Sequence, residues 1–395
     1  MPKVLRIINR FNLGGPTYNV AYLTKYLDGY ETMLVGGEKD ETENSSTFIT
    51  ESLGIEPLIV KEMKRKIDPI QDIEAYKKIK RIIKDYQPDI VHTHASKAGT
   101  IGRLAAFSCK VPAVVHTFHG HVFHSYFGKA STTLYKNIER YLAKKSDAII
   151  AISEKQKIEL ADIHKICSAE KISVIPLGFD LSRFNENIDD KRLSFRQRYN
   201  IMDDEICIAI IGRLVPVKNH RLFIESFKRL ISQTNKKVKA FVVGDGEVRD
   251  NLFDLCSQLG LSFSYVDKPN ATAQVIFTSW IKEVDEVLAG IDIVALTSFN
   301  EGTPVSLIEA QAGNRPIVTT NVGGIENVVM PNKTALLCEN NNIEEFSAAL
   351  IKLVEMDDLR GKMGMEGRQF VNQNFHYTRL CNDMRQLYDK LLSNS

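Results

Sequence analysis

No apolar run in this 395-residue chain approaches the roughly 20 residues that a membrane-crossing helix needs. The opening residues Met1-Pro2-Lys3-Val4-Leu5-Arg6-Ile7-Ile8 read as a short strand and lack a signal-peptide layout. These two absences predict a chain made and kept in the cytoplasm. Cysteine is sparse: six residues, at 109, 167, 207, 256, 338 and 381, stand far apart, and no Cys-x-x-Cys pair occurs. That argues against a disulfide framework or thiolate metal site and favours buried free thiols. Low-complexity segments and short-period repeats are also missing.

What is present is ordinary for a folded protein, with 44% hydrophobic and 25% charged residues. The length exceeds one hydrophobic core and predicts two or three domains. The net charge of +2 gives no reason to expect a nucleic-acid partner, but it is unevenly spread. Residues 1–200 carry +7 and residues 201–395 carry −5, so the first half has a modest pull toward anionic surfaces.

Short β-rich runs alternate with helix-length amphipathic segments, the pattern of parallel sheets flanked by helices. In the first half the strand candidates are Val4–Arg10, Thr32–Gly36, Leu58–Lys61, Asp89–His94, Ala113–Phe118, Ala148–Ser153 and Ile172–Pro176. Between them, residues 69–86 place Ile70, Ile73, Tyr76, Ile79, Ile82 and Ile83 at helical spacing. The polar stretch 185–198 reads as a break. A second alternation follows, with candidates Ile206–Gly212, Val238–Val243, Gln274–Phe277, Ile291–Leu296, Pro316–Thr319 and Ala335–Cys338. Two such series predict two doubly wound α/β domains facing across a cleft, with ligands beyond the carboxyl ends of the strands.

Several motifs sit at those ends. Asn12-Leu13-Gly14-Gly15-Pro16-Thr17 follows the first strand, and a glycine turn before a helix N-terminus suits a phosphate. A plain strand-to-helix turn is the alternative, since the spacing fits neither a dinucleotide fingerprint nor a Walker loop. Residues 115–124 hold His116, His119, His121 and His124. Strand alternation sends His116 and Phe118 to one face, Thr117 and His119 to the other, which scatters potential metal ligands. His119 and Gly120 are instead expected at a strand's carboxyl end, where an imidazole meets a sugar hydroxyl or serves as a structural histidine. His92 and His94 read as structural. After the first strand of the second half, Arg213 and Lys218 form either a surface pair or a cationic site for a leaving diphosphate. The sequence Ser298-Phe299-Asn300-Glu301-Gly302-Thr303-Pro304-Val305-Ser306-Leu307-Ile308-Glu309-Ala310 is the most telling. It places Glu301 in a turn and Glu309 in an apolar helix, where a carboxylate needs hydrogen-bond donors such as the hydroxyls of a ribose or sugar. Capping or pairing with a lysine is the structural alternative. Val322-Gly323-Gly324 offers another close backbone approach.

Together these motifs resemble those of the family 4 retaining glycosyltransferases with the GT-B fold, two Rossmann-like domains. The likeness runs over nearly the whole chain in family order. Gly14-Gly15 and Thr117–His121 match N-domain motifs, and Ser153-Glu154 and Ile175–Asp180 match the interdomain approach. Gly244-Asp245-Gly246 and Val322–Gly324 match C-domain loops, and Glu301–Glu309 is the family's Glu-x7-Glu. The resemblance implies an acceptor-side domain over 1–187, a nucleotide-sugar donor domain over 188–374, and a last helix within 375–395 that packs back on the first domain.

It further implies roles. Glu309 would bind the donor ribose, and Glu301 and His119 would contact the donor sugar. Arg213 and Lys218 would neutralise the diphosphate, and Gly15 would let backbone approach the phosphates or sugar. Gly14, Gly244, Gly302, Thr303, Pro304 and Gly324 would line the donor site. The reaction would retain anomeric configuration with no metal and no cofactor, consistent with the lack of any Asp-x-Asp. UDP is the expected nucleotide, although Ser279 stands where the family often has glycine near the base. The expected acceptor is a glycan or lipid-linked glycan in cell-surface polysaccharide synthesis. The basic runs 61–66 and 77–81 suit peripheral contact with anionic lipid at the inner membrane face, or are ordinary solvated surface. Rival readings are a GT-B nucleotide-sugar epimerase and a nucleotide-sugar-binding protein without turnover.

Overall fold

The computed structural model describes residues 1–11, 15–38, 47–64, 66, 68–120, 129–265, 270 and 272–393. The chain divides into two compact units. The first joins Met1–Phe179 to Asn374–Ser395, and the second is Asp180–Gln373.

The first unit is built on seven strands: β1 (Lys3–Arg10), β2 (Glu31–Gly37), β3 (Leu58–Ile59), β4 (Ile90–His94), β5 (Ala113–Phe118), β6 (Ala148–Ala151) and β7 (Ile172–Val174). They are parallel, in the order β3-β2-β1-β4-β5-β6-β7. Both faces are covered, so the central strands are apolar on both sides. Leu5, Ile7, Val91 and Val114 pack with Ala75, Ile79 and Ile83 of the helix Pro69–Tyr86 and with Ile101 and Ala105. On the other face Val4, Ile90, Val115 and Ile150 meet Leu23 and the last helix, Tyr377–Ser393, through Leu380, Cys381, Met384 and Tyr388. Arg379 of that helix donates to the carbonyls of Pro176 and Leu177 at 2.7 and 2.6 Å.

The second unit repeats the plan with β8 (Glu205–Ile211), β9 (Lys237–Val243), β10 (Phe263–Tyr265), β11 (Val275–Ser279), β12 (Ile293–Leu296), β13 (Ile317–Thr320) and β14 (Ala335–Cys338). The parallel order is β10-β11-β9-β8-β12-β13-β14. Ile208, Ile210 and Val242 pack with Phe223, Phe227, Phe346 and Leu350 on one face. In each sheet the chain runs out to one edge and returns beside its first strand. The switch points are therefore β1/β4 and β8/β12, where ligands of doubly wound sheets bind.

Three details depart from the sequence reading. The stretch expected as a break is the helix Ile188–Arg198. It carries little apolar periodicity because Phe195, fully buried, does most of its packing. Arg192 and Arg196 tie it down by donating to the Gly290 carbonyl. Strand β10 was not foreseen, since three residues are too few to show a period of two. In the helix Pro69–Tyr86, Ile70 and Ile73 are 74% and 56% exposed. The packed stripe runs Ala75, Ile79, Ile83 at spacing four, and Ile70 and Ile73 lie well off it. Asp68 caps this helix by accepting from the Ile70 and Gln71 N–H groups.

Met384 stands 1% exposed between the last helix and β1. Met384→Ala is expected to lower the unfolding free energy of the first unit by about 2–5 kcal/mol, read from the denaturant midpoint.

Candidate functional site

In the second unit four loops leave the carboxyl ends of β8, β9, β12 and β13 and pack backbone on backbone. A Cβ on Gly244, whose φ is +140°, would collide with the Gly212 carbonyl, and one on Gly324 with the Gly302 carbonyl. The Gly324 N–H donates to the Glu301 carbonyl at 2.9 Å. Packing of the protein itself thus requires these two glycines, independently of any phosphate. Across the switch point the Phe299 N–H donates to the Val217 carbonyl at 2.8 Å. Thr297 Oγ1 donates to the carbonyls of Lys218 and Asn219 at 3.0 and 2.9 Å.

This clamp brings Lys218 and Glu301 together. Lys218 Nζ donates to Glu301 Oε1 at 2.5 Å, and Ser298 Oγ donates to the same oxygen at 2.6 Å. The side chains keep 23% and 10% of their exposure, so the pair is partly desolvated and worth more than a surface ion pair. Arg213 is exposed, and among the described residues its guanidinium has no ion-pair partner. A ligand anion arriving here meets one free cation, Arg213, and a second, Lys218, that a carboxylate already neutralises. Gly302 has open space on its Cβ side, Thr303 is half-buried, and Pro304 is buried directly before the helix Val305–Ala312.

Glu309 lies on that helix between buried Ile308 and Ala310. Arg183 reaches it from the same unit, with Nη2 3.3 Å from Oε1. Burial pushes the carboxyl up to about 7, and Arg183 opposes the shift without cancelling it. The side chain retains 20% exposure, so hydroxyl donors could reach it.

In the first unit Gly15 opens the helix Gly15–Tyr26, beyond the end of β1. Asn12–Gly14 lie outside the described residues, and so do His121 and His124. His119 follows β5 and shares a hydrogen bond with His94 of β4, Nδ1 of His94 lying 2.9 Å from Nε2 of His119. The rings stack with centroids 5.2 Å apart. Burial pushes His119 down to about 3 and holds His92, His94 and His116 well below the usual imidazole range. All four are neutral near pH 7. His92 is bonded on both sides, through Nδ1 to Tyr388 Oη at 2.6 Å and through Nε2 to Thr117 Oγ1 at 2.7 Å. His116 faces the opposite side of the sheet, at 2.8 Å from Thr93 Oγ1. Among the described residues no three His, Cys, Asp or Glu side chains converge to hold a metal ion.

Of the residues singled out from sequence, Lys218, Glu301, Gly302 and Gly324 meet in one loop cluster, and Gly244 belongs to the same stack through Gly212. Arg183 was not singled out, because its link to Glu309 spans 126 positions. Tyr388, which orders His92 from 296 positions away, was equally invisible. The His94–His119 contact had a signal that was not used: period-two alternation puts Arg6, His92, His94, Thr117 and His119 on one face.

Two parallel α/β units with loop sites at their switch points define a GT-B architecture. Solved structures agree over the full length. A glycosyltransferase from Rickettsia africae superposes with a TM-score of 0.80 at 20% identity, covering 100% of this chain and 99% of its own. Anabaena HepE in complex with UDP also gives 0.80, at 18% identity, covering 98% and 100%. The family model described as Glycosyltransferase Family 4 matches residues 20–183, and that described as Glycosyl transferases group 1 matches residues 191–370. An Escherichia coli relative, UDP-Gal:alpha-D-GlcNAc-diphosphoundecaprenol alpha-1,3-galactosyltransferase, is 30% identical over 331 residues, covering 84% of this chain and 82% of its own. The Staphylococcus aureus capsular polysaccharide biosynthesis glycosyltransferase CapM is 27% identical, covering 84% and 85%. The chain belongs to glycosyltransferase family 4.

The raised carboxyl of Glu309 has a direct consequence for stability. A folded-state value of about 7 against 4.5 unfolded means that the folded protein holds this proton longer. The contribution is fully present below about pH 4.5 and is lost as pH rises through about 7, by up to about 3 kcal/mol. Glu309→Gln is expected to abolish this decline relative to wild type in urea unfolding measured from about pH 5 to 8.

Proposed function

We propose that this glycosyltransferase is a retaining, metal-independent enzyme. It transfers a hexose from a UDP-sugar to a glycan or polyprenyl-diphosphate-linked acceptor in cell-surface polysaccharide synthesis. The observation that carries this reading is the Lys218–Glu301–Ser298 cluster at the β8/β12 switch point, with exposed Arg213 in the loop that follows β8. A nucleoside diphosphate gains negative charge as its bond to the sugar breaks. Arg213 meets that charge first. Lys218 then exchanges part of its bond with Glu301 for the diphosphate, which frees the Glu301 carboxylate to accept from sugar hydroxyls. Preorganised cations of this kind lower the barrier without a metal ion. Glu309, in its ionised form, accepts from the ribose hydroxyls, and His119 contacts the sugar. On the family resemblance, Gly14, Gly15, Gly244, Gly302, Thr303, Pro304 and Gly324 serve donor binding. UDP is favoured because the Escherichia coli relative is named for a UDP-sugar and the HepE structure holds UDP. The lipid-linked or capsular acceptor class is carried over from the names of the two relatives.

No helix among the described residues is long and apolar enough to cross a membrane. A lipid-linked acceptor would instead be met by peripheral contact at the cytoplasmic face. The helix Pro69–Tyr86 suits this, with Ile70, Ile73, Lys77, Arg81 and Lys84 all exposed.

A thermal-shift panel of UDP-, GDP-, ADP- and CMP-sugars in chelator tests the donor. The matching UDP-sugar at 100 times its Kd is expected to add about 2.7 kcal/mol. Half-exposed Trp280, the only tryptophan, follows β11 and gives a fluorescence readout. Lys218→Ala is expected to cut turnover about 10²–10³-fold. A product with inverted anomeric configuration, or turnover only with added metal, would overturn the mechanism. Co-sedimentation with anionic vesicles at low salt is expected, and its loss at high salt; failure to bind at low salt removes the membrane contact.

A further inference from the structure

Strand alternation sends Arg6 of β1, His92 and His94 of β4, and Thr117 and His119 at the end of β5 to the face covered by the last helix, where Tyr388 sits over them. Arg6 is fully buried beside Tyr388, on whose hydroxyl it acts, and among the described residues none of its guanidinium nitrogens has a partner in full hydrogen-bond geometry. Its charge lowers the proton affinity of both His92 and His94. Among the described residues His94 Nε2 and His119 Nδ1 likewise have no partner. The bond between His94 Nδ1 and His119 Nε2 holds one proton, and its owner fixes the tautomer of both rings.

The sheet order decides between the two arrangements. β4 lies between β1 and β5. The two nitrogens of an imidazole point in widely divergent directions. His94 turns Nδ1 toward His119 on the β5 side, which leaves Nε2 on the side away from β5, and Arg6, on β1 beside His92, acts on His94 but not on His119. A lone pair on Nε2 is stabilised by the guanidinium charge. Either tautomer leaves one ring N–H without a partner in the free protein, but an N–H on His94 Nε2 would stand in the field of the guanidinium, and one on His119 Nδ1 would not.

We propose that His94 is a positioning residue: its Nδ1–H donates to His119 Nε2, which fixes His119 as the Nδ1–H tautomer and presents that N–H as a donor toward the sugar's oxygen. Arg6 selects this arrangement. Tyr388 and Thr117 hold His92 beside it, and His116 lies across the sheet. The inference rests on the reading that His119 contacts the donor.

The test separates the two claims. In protein labelled with ¹⁵N-histidine and assigned against His119→Ala, the free enzyme is expected to show His119 protonated at Nδ1 and His94 unprotonated at Nε2. His119 protonated at Nε2 overturns the proposal, whatever the kinetics. His94→Asn, whose amide can replace Nδ1–H, is expected to keep the His119 tautomer and most of the turnover. His94→Leu is expected to release the tautomer and to lower kcat about tenfold with little change in donor KM, the effect of one lost hydrogen bond. Equal kinetics for the Asn and Leu variants would also overturn it. If instead the tautomer is found but His119→Ala turns over like wild type, the donor-contact reading fails while the assignment of the proton stands.

Discussion

Backbone-to-backbone packing of the loops beyond β8, β9, β12 and β13 is the constraint on which the donor-side chemistry depends. The central strands β8, β9, β12 and β13 are parallel and largely buried on both faces, so they leave little room for solvated polar groups. Lys218 and Glu301 stand in the loops beyond their ends. Gly244 and Gly324 let neighbouring loops close to carbonyl contact, and Thr297 ties the loop after β8 to the end of β12. Lys218 and Glu301, 83 positions apart, are thereby held in one geometry at 2.5 Å before any ligand arrives. Little reorganisation is then left for the reaction itself.

The first unit solves a related problem differently. It buries a stripe of arginine, histidines and a tyrosine under the last helix, where His92 is bonded on both sides and His94 to His119. Burial strips the imidazoles of their usual charge, so His119 is neutral at the end of β5 and is available for hydrogen bonding rather than as a cation. The last helix matters here beyond its apolar packing, because Tyr388 orders the His92 ring from within it. The unit's core and its polar stripe therefore stand or fall together.

Glu309 and Glu301 show how differently the same side chain can be surrounded. Glu301 has an ammonium and a hydroxyl on one oxygen. Glu309 has a single contact at 3.3 Å from a guanidinium that is itself 45% exposed, and burial dominates. On the proposed reading, the two hydroxyls of a donor ribose would supply hydrogen bonds to Glu309.

The alternation of β-rich and amphipathic runs was enough to read both parallel sheets, and β5 and β14 fall at the predicted residues. Period-two and turn signals are local, so they survive in one dimension, and they placed the candidate residues at strand ends where the loops of this fold gather. Short or weakly patterned elements escaped: β10 with three residues, and the helix Ile188–Arg198, which rests on one buried phenylalanine. Exposure of Ile70 and Ile73 escaped too, because helical spacing gives a set of faces and only the neighbouring strand and helix choose which is buried. Sequence by itself thus determined the architecture and the loops that hold the chemistry. Tertiary structure alone decided the pairings, Lys218 with Glu301, Arg183 with Glu309, His94 with His119 and Tyr388 with His92. Those bonds depend on distances between strand ends and helices far apart along the chain, which no local pattern encodes.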